Sequence, residues 1–216
     1  MKDFWKTPVF AWIAPYVAFG LLGLLAGLGP TAPYWVYPVK TLAVAMLILW
    51  VWKRLELRRP RNLLLSVVTG VVVLALWIVP YGWLTPESAR SGGFNPFEQF
   101  APAVAWALIA VRIAGAALVV PVMEEAFTRG FLQRFLVSED FSRVPHGVYT
   151  HISFWGTAGF FALAHGGEWA VALIAAVAYG ALYCQTKSLS DVMVAHGVTN
   201  LLLGLYVVYS QKWYFW

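Results

Sequence analysis

The sequence has very little charge for its length. Only 12% of its 216 residues are charged, whereas 61% are hydrophobic and the mean hydropathy is +0.70. This composition leaves no segment polar enough for a separate soluble domain, so we expect a single integral membrane domain over residues 1–216. The net charge of +5 comes from basic residues at the ends of apolar stretches, which indicates membrane orientation rather than nucleic-acid binding.

Cysteine and the common hydrolase motifs are also scarce or absent. Cys184 is the single cysteine, which excludes an internal disulfide. The sequence contains no H-E-x-x-H zinc motif, no G-x-S-x-G elbow and no phosphate-binding loop. Serine and cysteine hydrolysis therefore have no supporting set of residues.

Long apolar stretches dominate the sequence instead. We count about seven, most of them near the ~20 residues that a membrane-spanning helix requires. This pattern predicts an all-α fold, a polytopic membrane helix bundle with about seven to eight transmembrane helices. The stretches lie near residues 9–28, 36–52, 63–84, 100–122, 152–165, 169–185 and 192–209.

The distribution of basic residues predicts the orientation. The loop 53–61 carries five basic residues and one acidic residue, and loops with such an excess usually face the cytoplasm. Two crossings separate this loop from the N-terminus, so we expect a cytoplasmic N-terminus as well.

Three polar motifs stand out in the second half of the chain, over residues 100–209. Each contains a pair of residues four apart, which share one face of a helix. Ionisable groups within membrane segments indicate a functional site by default. The motifs are Glu124-Glu125-x-x-x-Arg129, Phe161-x-x-x-His165 and His196-x-x-x-Asn200.

The two adjacent glutamates are expected to have different roles. A charged residue at the centre of a membrane helix costs about 2.5–3.5 kcal/mol on insertion scales, so each charge needs a partner or a function. Glu125 and Arg129 can pair across one helical turn. Glu124 points about 100° away from that pair. We therefore predict that Glu125 and Arg129 form a structural ion pair and that Glu124 is free for chemistry.

The histidine motifs also have structural explanations. His165 precedes two glycines, and at a helix end its ring can simply bond free carbonyl groups. His196 and Asn200 can join neighbouring helices by hydrogen bonds. Each motif alone can therefore be structural. The three motifs together, if they converge on one site, favour catalysis more than any one of them does.

Together, in this order and on membrane helices, the three motifs resemble those of the CPBP family, the CAAX prenyl protease and bacteriocin-processing proteins. The resemblance covers roughly residues 100–209, and the compact size is similar to a bacterial subgroup associated with exosortase sorting systems. It implies an intramembrane endopeptidase in the bacterial inner membrane. Its partners would be the lipid bilayer and a membrane peptide or protein, prenylated or carrying a sorting signal, and no nucleic acid.

The resemblance also implies roles for the motif residues. Glu124 would act as the general base that deprotonates water, and His165 would orient that water. His196 and Asn200 would donate hydrogen bonds to the developing oxyanion. The supporting residues would be Glu125, Arg129 and Phe161.

The cofactor is open at this point. Metal-free glutamate catalysis suits two adjacent carboxylates and an asparagine. The alternative is a divalent metal such as zinc, held by Glu124, His165 and His196 with one coordination position left for water.

Two other classes of function compete with the protease. A membrane scaffold or immunity protein would keep the motifs for structure alone. A proton-coupled carrier would use glutamate and histidine as a relay, but it would also be expected to show internal repeats or paired broken helices, and the sequence shows neither.

If each apolar stretch is counted as one straight helix, the three motifs lie at different depths in the membrane. A fourth helix that ends near residue 122 would place Glu124 at the membrane surface, whereas His165 would lie ~22 Å along the fifth helix. We therefore expect residues 121–137 to continue into the membrane after a kink at Pro121.

Overall fold

The computed structural model describes residues 3–55, 57–90 and 92–216, and within them the regular structure is entirely helical. This confirms the predicted all-α fold. Short 3₁₀ turns flank and connect the longer elements. The main helices are α1 Pro8–Gly23, α2 Ala32–Val51, α3 Leu63–Leu84, α4 Pro102–Phe135, α5 His151–Ala164, α6 Trp169–Thr186 and α7 Leu189–Ser210.

Six helices in the described part of the chain are long and apolar enough to cross a membrane, which agrees with the predicted integral membrane bundle. The helix that does not reach this length is α5, which has 14 residues. At about 1.5 Å per residue it extends ~21 Å, less than the ~30 Å hydrocarbon core. The expected number of seven to eight transmembrane helices is therefore approximate.

Helix α4 is longer than its apolar stretch suggested. It runs for 34 residues and includes two π-helical segments, Gly115–Val119 and Ala126–Leu132. Pro121 lies two residues after the first segment, whose wider turns accommodate a residue that lacks an N–H donor. The residues beyond Pro121 thus continue the same helix, and Glu124 lies ~16 Å from its last residue rather than at its end.

Close helix packing brings α3 against α6 and α7, and α5 against α6. Gly70 marks the closest approach of α3 to α7. A Cβ atom at this position would lie 2.5 Å from the carbonyl oxygen of Ala195 and 2.8 Å from Cβ of Val198. The absence of a side chain at Gly70 therefore sets the distance between these two helices.

The loop between α2 and α3 is fixed to the first turn of α7. The buried Asp191 carboxylate accepts hydrogen bonds from the backbone N–H groups of Arg61, at 2.7 Å, and Asn62, at 3.3 Å. The Asn62 side chain in turn caps α3 by accepting from the N–H of Leu65. These bonds hold the basic loop beside the end of the bundle.

We expect Gly70→Ala to destabilise the protein by about 1–3 kcal/mol, because the added methyl group meets backbone that cannot move freely. The matched control is Gly159→Ala in α5, where a Cβ atom would have no neighbour within 4 Å. The control should be neutral or stabilise by up to about 1 kcal/mol. Reversible unfolding in mixed detergent micelles, followed by circular dichroism, measures both. Equal stabilities of the two variants would contradict the proposed contact.

Candidate active site

A buried ion pair lies at the centre of the bundle. The Glu125 side chain is 0% exposed and that of Arg129 is 1% exposed, and their nearest charged atoms are 3.0 Å apart. The predicted pair one helical turn apart is therefore present. Arg129 also donates to Thr128 Oγ1 and, across to α6, to the carbonyl oxygen of Ala176. The guanidinium thus links α4 to α6 as well as neutralising Glu125.

Glu125 has a second partner that the sequence did not indicate. His196 on α7 donates from Nδ1 to Glu125 Oε1 at 2.8 Å. A carboxylate can only accept this bond, so the proton of the neutral ring is on Nδ1 and the lone pair is on Nε2. Glu125 therefore determines which side of the His196 ring is free for chemistry.

Glu124 lies on the opposite side of the same imidazole. Its Oε2 is 4.0 Å from His196 Nε2, beyond hydrogen-bond distance, and its side chain is 16% exposed. This oxygen is buried and has no hydrogen-bond partner within the described residues. A buried carboxylate oxygen without a partner is costly, and it is therefore a candidate for direct chemistry.

His165 ends helix α5, and its ring is oriented in the same way. Nδ1 lies 2.7 Å from the carbonyl oxygen of Phe161, which can only accept, so Nδ1 carries the proton and Nε2 carries the lone pair. Gly166 then reverses the chain with φ of +56°, a conformation that glycine adopts without strain. The structural explanation of His165, a bond to a helix-end carbonyl, is present and leaves Nε2 available.

Phe161 joins the polar groups through its ring. The ring lies 4.5 Å from the His165 ring, and the Arg129 guanidinium lies 4.9 Å from its centroid. Tyr179 on α6 stacks on the other imidazole, with 5.1 Å between its ring and that of His196. These aromatic contacts fix the orientation of both histidines.

Asn200 makes a bond that the sequence did not indicate. Its Nδ2 donates to the carbonyl oxygen of Ala116 at 2.9 Å. Ala116 belongs to the first π-helical segment of α4, where the ordinary helical bonding is interrupted. One N–H of the amide therefore has a structural role between α4 and α7, and the second N–H is left for a ligand.

The three motifs converge on one cavity of about 110 Å³. Five of the motif residues line this cavity: Glu124, Phe161, His165, His196 and Asn200. Glu125 and Arg129 do not line the cavity themselves and lie behind the residues that do. The sequence did not identify the remaining lining residues, because nothing in an apolar helix marks a tyrosine or tryptophan as part of a site. They are Trp77, Val120, Ala175, Tyr179, Thr199 and Leu203.

A zinc site is not formed by these side chains as they stand. Among the described residues, no group of three histidine, cysteine, aspartate or glutamate side chains is arranged to hold a metal ion. Glu124, His165 and His196 share the cavity without forming such a group. No catalytic step is therefore assigned to a metal ion. The cofactor stays a prediction, which a chelator can test.

Carboxylates, imidazoles and an amide enclosed among apolar helices define a membrane-embedded site for acid–base chemistry. Residues 105–202, which contain all three motifs, match the family model described as type II CAAX prenyl endopeptidase Rce1-like. The predicted resemblance to the CPBP family is confirmed over this region, and it supports a membrane endopeptidase at the level of the family. No curated protein and no solved structure matches the chain.

We expect Arg129→Met to destabilise the protein by about 3–5 kcal/mol, because the Glu125 carboxylate would lose its cation without gaining contact with water. The control is the double variant E125Q/R129M, which removes both charges and should recover part of that loss. Unfolding in mixed micelles measures the two free energies and that of E125Q. A double-mutant cycle with no Glu125–Arg129 coupling would contradict the role of the ion pair.

Proposed function

We propose that this protein is an intramembrane endopeptidase in which Glu124 activates water to cleave a peptide bond of a membrane-associated substrate. The observation that supports this most directly is Oε2 of Glu124, a residue that lines the cavity: this oxygen lies 4.0 Å from Nε2 of His196 and has no hydrogen-bond partner among the described residues. The family match supports a protease of this general type.

In the proposed reaction, Glu124 removes a proton from a water molecule as its oxygen attacks the carbonyl carbon of the scissile bond. His165 would accept a hydrogen bond from the same water at Nε2 and so fix its direction. The tetrahedral intermediate then collapses, the C–N bond breaks, and Glu124 returns its proton to the leaving amine. Atoms and protons balance without a further reactant.

Oxyanion stabilisation would come from α7. The second N–H of Asn200 is a donor in the neutral state of the site. His196 donates from Nε2 only as an imidazolium, and the Glu125 carboxylate bonded to its Nδ1 would stabilise that cation while Glu124 holds the proton of water. Loss of one oxyanion donor typically costs about 10²–10³ in rate.

Two observations support the enzyme over the competing functions. A scaffold needs the motifs only to hold helices together, whereas here Glu124 Oε2 takes no part in such a bond among the described residues. A carrier is expected to show internal repeats or paired broken helices, and the sequence shows neither. The substrate class follows from the family resemblance: a prenylated C-terminal peptide, or a sorting-signal peptide if the exosortase-associated subgroup applies.

We expect Glu124→Gln to lower cleavage at least 10²-fold, because an amide cannot accept the proton of water. The assay uses purified protein in liposomes, a farnesylated C-terminal CAAX peptide and a sorting-signal peptide, with products identified by mass spectrometry. Glu139→Gln, in an exposed loop, is the matched control and should retain full activity. Normal cleavage by the Glu124 variant, with the fold intact by circular dichroism, would eliminate Glu124 as the base.

Metal-free catalysis predicts that 1,10-phenanthroline leaves the rate of the wild-type protein unchanged. Elemental analysis of the same preparation should then find far less than one zinc per chain. The contrary result, stoichiometric zinc together with inhibition that added zinc reverses, would establish the alternative in which Glu124, His165 and His196 rearrange around a metal.

A further inference from the structure

A second cavity, of about 330 Å³, lies at the end of the bundle where the α2–α3 loop meets the α6–α7 turn. It is more polar than the catalytic cavity and separate from it, since the two have no lining residue in common. Three cationic side chains line it, Arg58 and Arg61 from the first loop and Lys187 from the turn. We refer to this cavity as the basic pocket. Its other lining residues are Leu57, Pro145, His146, Ser188, Leu189 and Ser190.

The cations of the basic pocket have no acidic partner in the described part of the chain. None of the ion pairs there involves Arg58, Arg61 or Lys187. Asp191 is close, but its carboxylate is buried and accepts from backbone N–H groups of the loop. One buried carboxylate therefore fixes the backbone of the basic loop at Arg61 and Asn62 and leaves the cations of the pocket without an acidic partner among the described residues.

The bonds around the basic pocket are consistent with a built site. Ser190 donates to the carbonyl oxygen of Arg58, and Arg61 Nη1 donates to the carbonyl oxygen of Thr186 at 3.2 Å. These bonds fix the backbone at Arg58 and part of the Arg61 guanidinium. Within the part of the chain that the structure describes, no further bond occupies the Arg58 guanidinium or the remaining N–H groups of Arg61, so these donors can bind an anion.

The positive charge of the pocket also acts on His146, which lines it. Its pKa is lowered to about 4, first by burial and then by Arg134, Arg58 and Arg61. The ring is therefore neutral near pH 7, and its Nδ1 pairs with the hydroxyl of Tyr183 at 2.7 Å. The cationic character of the pocket thus comes from the arginines and the lysine and acts on a buried wall of the cavity.

We propose that the basic pocket binds the phosphate of an anionic phospholipid headgroup. The pocket lies where α3 begins at Leu63, α6 ends at Thr186 and α7 begins at Leu189, all of them ends of membrane-spanning helices. The phosphates of a bilayer are found at this level. A pocket whose cations have no acidic partner among the described residues, at that level, matches a phosphodiester better than a soluble ligand of no charge.

The test titrates the purified full-length protein in neutral detergent with phosphatidylglycerol, and separately with phosphatidylcholine and with sodium phosphate. Native mass spectrometry counts bound lipid, and circular dichroism follows thermal unfolding. The pocket variant is R58Q/K187Q. The control K53Q/R59Q removes the same charge from exposed positions that do not line the pocket.

We expect the wild-type protein to prefer phosphatidylglycerol and R58Q/K187Q to bind it about 10- to 30-fold more weakly. The control should lose less than about 3-fold. Equal losses of phosphatidylglycerol affinity in both variants would show that the lipid binds to the basic surface in general and not to the pocket. If the wild-type protein did not prefer phosphatidylglycerol to phosphatidylcholine, the proposal would be overturned. If sodium phosphate stabilised the protein against thermal unfolding at the same concentration as phosphatidylglycerol, the pocket would be a site for soluble phosphate, and lipid binding would be refuted.

Discussion

The Glu125 carboxylate has no contact with water, and one guanidinium and one imidazole hold it in place. Because a buried ion without a partner costs several kcal/mol, the helices that supply these partners cannot separate without a large loss of stability. Arg129 reaches α6 through Ala176 and lies over Phe161 of α5, while His196 belongs to α7. A single carboxylate on α4 therefore fixes the relative positions of four helices.

The same interaction prepares the chemistry. By accepting the Nδ1 proton of His196, Glu125 fixes the tautomer of the ring and turns its Nε2 towards Glu124. His165 obtains the same arrangement from a backbone carbonyl. Both imidazoles therefore direct Nε2 to one cavity before any substrate enters: His165 can accept from water there in its neutral form, and His196 can donate there once it is protonated.

The sequence predicted the features that depend on local spacing. The apolar stretches predicted the helices, and the interval of four residues predicted the Glu125–Arg129 pair. It could not predict the bond from His196 to Glu125 or the bond from Asn200 to Ala116, because each joins helices that are distant in the chain.

The continuation of α4 beyond Val122 was predicted only indirectly, from the depths of the three motifs, for a physical reason. Polar residues after Val122 indicate the end of a lipid-facing stretch, but Glu125, Thr128 and Arg129 are buried against other helices and not exposed to lipid. Trp77 and Tyr179 line the catalytic cavity yet look like any aromatic residue of an apolar helix. Their role depends on tertiary packing alone.

The π-helical segments of α4 have a consequence for how this fold can change over evolutionary time. A π-helical turn is what a helix retains after accepting one inserted residue, because the wider turn absorbs the ~100° of rotation that the residue would otherwise add to everything beyond it. Gly115–Val119 lies just before the glutamate pair and Ala126–Leu132 just after it. Loss of one residue from the first segment would therefore restore an α-helical turn and leave the rotation of the glutamates unchanged. The change would be local, at the carbonyl oxygen of Ala116 that accepts from Asn200. A relative can thus lose the π-helical turn, keep both glutamates in place and lack the bond that holds Asn200.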